Sequence, residues 1–123
     1  MSRADDLRAL LARVEEATGR DLHLEAALLR AIAPFITGGW RDAWYGIGFA
    51  PTQSIGDAVA LIDAVLPGAY LDMDGTTGKA NWGARIRVHD NDIGDAWNRP
   101  SLALALIAAL LSALIAQEVE HGR

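Results

Sequence analysis

The chain contains no cysteine, and only four of its 123 residues are proline. Without a thiol there is no disulfide, no thiolate nucleophile and no Cys-ligated zinc or iron–sulfur centre. Basic residues are also scarce. Eleven Lys and Arg face sixteen Asp and Glu, for a net charge of −5 and a pI near 5.0. An acidic chain without a basic block is poorly suited to nucleic-acid phosphates or to an anionic membrane surface. The opening MSRADDLRALL has neither the apolar core nor the small-residue cleavage site of a signal peptide, so a cytoplasm is the expected location.

What the sequence does have is LALALIAALLSALIA, residues 102–116, in which Ser112 is the single polar side chain. Fifteen residues fall short of the roughly 20 that a bilayer-spanning helix needs. A soluble helix that is apolar all round must be covered all round. The segment therefore reads as the central beam of a small domain, a subunit interface, or both. Because a small sheet cannot hide so much apolar surface alone, a homo-oligomer is expected.

The rest of the chain reads as short elements within a single domain spanning residues 1–123. Ser2 caps a first helix with Leu7, Leu10, Leu11 and Val14 on one stripe, and Gly19 stops it. Asp21 caps a second, from Leu22 to about Ala33, with Leu24, Leu28, Ala31 and Ile32 inward and Pro34 at its end. A short strand is expected over 44–47. Ser54 caps a third helix over 55–66, buried through Ile55, Val59, Ile62 and Val65 or Leu66.

Residues 69–74 and 81–89 alternate, and GTTG at 75–78 lies between them, which gives a β-hairpin. Trp82, Ala84, Ile86 and Val88 point one way. Arg85, Arg87 and His89 point the other, opposite Tyr70, Asp72 and Asp74. Residues 90–95 read as a polar loop, Pro100 suits the first turn of the last helix, and the tail 119–123 reads as frayed. The order is α-α-β-α-β-β-α. The expected fold is α+β, a three- to four-stranded antiparallel sheet sandwiched by helices.

Three longer segments carry a family resemblance: LRALLARVEEATGRD…LEAALLRAIA over 7–33, PTQSIGDAVALIDAVLPGAYLDM over 51–73 and WNRPSLALALIAALLSALIA over 97–116. Together they resemble small phage and prophage proteins with a phage ABA sandwich domain. Such proteins join an N-terminal helix pair, a Trp-containing region, an (S/T)-x-D-A-(V/A)-x-L-(I/V) helix and a closing (T/N)-P-x-x-A-L helix. The chain departs from that pattern at Arg99, which stands where a capping Thr or Asn usually precedes the proline; Asn98 is expected to cap instead. The resemblance implies a bacteriophage accessory protein working in the host cytoplasm, and it brings no catalytic residues with it.

Few residue patterns suggest chemistry, and a non-enzymatic protein is expected. DNDIGD, residues 90–95, places Gly at the fifth position and Ser101 at the twelfth, so it fails as a calcium loop. His23, His89 and His121 share no ligand spacing, and no metal or cofactor is expected. No serine lies in a nucleophile elbow, and GTTGK lacks the spacing of a phosphate loop.

Candidate ligand-binding residues are Trp40, Arg41, Trp44, Tyr45, Arg85, Arg87, His89 and Trp97. Aromatic faces beside arginines can stack a nucleobase while the guanidinium takes its phosphates. The plainer alternatives are cross-strand ion pairs on a wet sheet face, and aromatics that cap the core or fill an interface.

Three functions fit. One is a counter-defence protein that binds and sequesters a nucleotide-derived immune signal. The second is a protein-binding inhibitor of a host defence protein, and the third a minor virion or assembly component.

Overall fold

A computed structural model describes residues 2–19, 21–36 and 49–121. Helix α1, Arg3–Glu16, starts at Ser2, whose hydroxyl accepts the Asp5 N–H at 3.1 Å, and buries Leu7, Leu10 and Val14. It ends at Ala17 in extended conformation, two residues before Gly19. Helix α2, Leu22–Ile32, starts at Asp21, whose carboxylate accepts the N–H groups of His23 and Leu24 at 3.0 and 3.1 Å. Pro34 lies in the 3₁₀ turn Ala33–Phe35 that follows. The buried carboxylate of Glu25 reaches from α2 to accept the Thr52 N–H at 3.2 Å.

Helix α3, Ile55–Val65, is capped by Ser54 as expected, but its buried residues are Ala58, Leu61, Ile62 and Ala64. The inward face is rotated by about one position from the expected stripe, which leaves Ile55 exposed. Small Ala58 and Ala64 on the inward side allow the close approach that larger side chains would prevent.

Three antiparallel strands follow in the spatial order β1-β2-β3: β1, Tyr70–Asp74; β2, Trp82–Val88; and β3, Asn91–Arg99. The expected hairpin is present, with Tyr70 opposite Arg87 and Asp72 opposite Arg85. Trp82 is half-buried against the core.

The segment 90–95 is not a loop. His89 and Asp90 both adopt positive φ, 51° and 65°, and form a two-residue turn that returns the chain as β3. Two irregularities hide this strand from a reading by alternation. The pairing shifts once between Ile86 and Arg87, and again between Trp82 and Ala84, where Asn98 has φ 59°. Asn98 therefore sits in a bulge and does not cap the last helix. Ser101 does so, with its hydroxyl accepting the Leu104 N–H at 3.2 Å.

Helix α4, Leu102–His121, runs past the apolar stretch and into the tail expected to fray, as far as His121. By length and composition alone its 19-residue portion Leu102–Glu120 could cross a membrane, contrary to the count of uninterrupted apolar residues. Here, however, it is the beam of the core. Residues 103–111 are all buried, between β2 and β3 on one side and α1 and α3 on the others. Arg3 at the start of α1 reaches Glu118 at 3.5 Å, and Arg99 just before α4 donates to the Glu15 carbonyl at 3.1 Å. These two contacts fix α1 and α4 antiparallel. Within one chain residues 103–111 are thus covered, whereas Val119 near the end of the helix stays 53% exposed.

Candidate functional site

With α4 beneath it, the sheet has one face that no other element covers among the described residues, and strand alternation decides what stands there. Tyr70, Asp72 and Asp74 point outward from β1, Arg85 and Arg87 from β2, and Asp92, Asp95 and Trp97 from β3. Gly83 provides a flat place in β2. A Cβ there would meet the Trp97 ring at 2.2 Å, so the indole lies directly on the glycine backbone.

The arginines are held from several sides. Arg87 Nε donates to Asp92 Oδ1 at 2.9 Å, its Nη2 stands 3.5 Å from Asp72 Oδ2, and its guanidinium lies 5.9 Å from the centre of the Tyr70 ring. The bond to Asp92 holds the Arg87 guanidinium above the ordinary arginine range. Arg85 Nε is 3.8 Å from Asp92 Oδ2, and its guanidinium lies 5.7 Å from the Trp97 ring. Asp92 thus bridges both arginines, one through each oxygen. The Trp97 indole N–H is 3.4 Å from Asp95 Oδ2.

The result is a strip of alternating acid and base with an aromatic ring at each end. Tyr70 is 61% exposed and Trp97 44%. Four carboxylates, Asp72, Asp74, Asp92 and Asp95, outnumber the two guanidinium groups. A phosphate arriving here would have to displace carboxylates already in place.

Of the expected ligand residues, the structure brings Arg85, Arg87 and Trp97 together. His89 stands apart in the β2–β3 turn, exposed, beside a shallow recess of about 260 Å³ shared with Gly68, Tyr70, Arg87 and Asp90. Trp40, Arg41, Trp44 and Tyr45, and the strand expected over 44–47, lie outside the described residues. Asp92, the hub of the network, was not among the expected residues because its segment reads as a loop. The signal that could have found it is the His-Asp pair before Asn91, residues that tolerate positive φ and so permit a tight turn.

Comparison with protein-family models, curated proteins and solved structures finds no match for this chain.

Proposed function

We propose that this chain is a non-enzymatic protein-binding module, a phage-type accessory factor that inhibits a host protein through the open face of its sheet. The observation that carries this reading is the Tyr70–Arg87–Asp92–Arg85–Trp97 strip, two exposed aromatics joined by arginines already neutralised by carboxylates. Aromatic and arginine side chains concentrate at protein interfaces, where their apolar planes are covered and their polar edges stay satisfied. An arginine whose charge is already met by Asp92 and Asp72 can be covered by a partner without a new counter-ion.

The nucleotide-sequestering alternative requires both arginines to turn from those carboxylates toward a phosphate. The test is native capture from host extract with the wild-type chain and with Trp97→Ser. The expected result is one host protein held in stoichiometric amount by the wild type and lost with Trp97→Ser, while the circular dichroism of the two chains agrees. A bound nucleotide detected by native mass spectrometry, with no protein partner, would overturn the reading in favour of sequestration. Recovery of the chain from purified virions would favour the assembly role.

A further inference from the structure

The edge of β1 that no other strand pairs among the described residues offers more than the open face does. We infer that β1 accepts an extended segment of the partner as a fourth antiparallel or parallel strand, and that this segment alternates apolar and basic residues. The inference rests on the protein-binding reading above and specifies the partner's chemistry.

Among the described residues, no strand lies on the far side of β1, because β2 occupies the centre of the sheet. A five-residue edge strand exposes a row of unpaired N–H and C=O groups, the feature that strand addition uses. The two faces beside this edge differ in chemistry. On the inner side, α3 and β1 flank an open groove of about 350 Å³ whose apolar lining includes Val59, Ile62, Leu66 and Leu71. Met73, also on the inner side of β1, is 47% exposed. On the outer side stand Asp72 and Asp74. Asp72 shares Arg87, whereas Asp74 and the groove-wall Asp63 meet no cation among the described residues.

A strand laid along β1 would send alternate side chains to opposite faces. One set would enter the groove between α3 and β1, where only apolar groups can be buried at no cost in unmet hydrogen bonds. The other set would stand beside Asp72 and Asp74, where cross-strand pairing favours lysine or arginine. The same carboxylates argue against a second copy as the occupant. Antiparallel pairing of β1 with another β1 brings like charges together across the junction, a common protection of natural edges.

The probe is the capped peptide KVKVKVK, titrated into the ¹⁵N-labelled chain, with EVEVEVE and the block peptide KKKKVVV as controls. The expected result is that KVKVKVK shifts the amides of residues 70–74 and of Val59 and Leu66 and slows hydrogen exchange in β1, while the two controls do neither. Asp74→Lys reverses the charge at an exposed edge position and should weaken KVKVKVK binding roughly fivefold to tenfold, with the free chain's spectrum changed only around Gly75, whose N–H the Asp74 carboxylate accepts at 2.8 Å. Shifts confined to Arg85 and Trp97 would overturn the edge inference and leave the open-face reading standing. Equal binding of the block peptide, or no shift with any peptide, would also overturn it. Concentration-dependent shifts of 70–74 without peptide would make a second copy the occupant and overturn it too. Independently, a host partner lost with Trp97→Ser but retained by Asp74→Lys would leave the protein-binding function intact without the added strand.

Discussion

Gly94 in β3 lies against the backbone of α4 at Ala109. A Cβ built on Gly94 would stand 2.3 Å from the Ala109 carbonyl oxygen and 2.8 Å from the Ala113 amide nitrogen. Those atoms belong to a buried helix and cannot swing aside. Gly94→Ala should therefore force strand and helix apart and destabilise the fold by about 1–3 kcal/mol or more. Urea unfolding followed by circular dichroism reads this directly. An unchanged midpoint would mean that β3 does not seat on α4 as described.

Gly83→Ala sets up the contrasting case. Its Cβ would come within 2.2 Å of the Trp97 ring, an even shorter approach. That ring, however, is the far end of a partly exposed side chain. It can turn outward, so the expected cost is about 1 kcal/mol or less. The indole would leave the Gly83 backbone and its place beside Arg85. Ring-proton shifts of Trp97 should move toward solvent values, and partner capture should fall even though the chain stays folded.

The legibility of the sequence divides along the same lines. Caps at Ser2, Asp21 and Ser54 and the alternation through Trp82 to Val88 are local signals, and each element they announce is present. The third strand is not local in that sense. Its two bulges break the period, and its outward positions are so polar that Asn91 to Asp95 looks like a solvated turn. Losing β3 also hid Asp92, and with it the reason that Arg85 and Arg87 form one network. The phase of α3 depends on which side the long helix approaches, which spacing alone does not carry. The cover over α4 comes from the packing of α3 and of α1, the latter tied down at Arg3–Glu118 and Arg99–Glu15.

Ser101 gives a test of the corrected helix start. Its hydroxyl accepts from Leu104, whereas Asn98 lies in a bulge with positive φ. Ser101→Ala should lower stability by about 1 kcal/mol. Asn98→Gly keeps the permitted φ and should cost less, since glycine adopts that region freely. The opposite order, measured by thermal unfolding, would restore Asn98 as the cap.

Leu110 separates a core helix from an interface helix. It is fully buried within one chain, as are its neighbours Ala109 and Leu111. Leu110→Ala should cost about 2–5 kcal/mol through lost contacts and the cavity left behind. Because the cover comes from the same chain, the loss should be equal across a wide range of protein concentrations. An unfolding midpoint that rises with concentration would show that a second chain contributes to the cover.

Asp5 adds an acid-sensitive contribution at the start of α1. Hydrogen bonding from the Ser2 side chain, then from its backbone, holds the carboxyl below its ordinary value of 3.8, and Arg8 adds to the effect. A carboxyl with a depressed native pKa contributes stability that is fully present above the unfolded value. That contribution declines as pH falls through 3.8 and toward the native value, because protonation then favours the unfolded chain. The Asp5 carboxyl resonance should thus titrate with a midpoint below 3.8. Ser2→Ala should return it part of the way, since the Ser2 backbone bond remains, and Arg8→Ala should move it less, following the order of the causes. Asp5→Asn should be less stable than the wild type at pH 6 and lose less on acidification to pH 3, a difference seen in paired urea curves. If both chains lose stability equally between those two values, Ser2 and Asp5 do not form the acid-sensitive start of this helix.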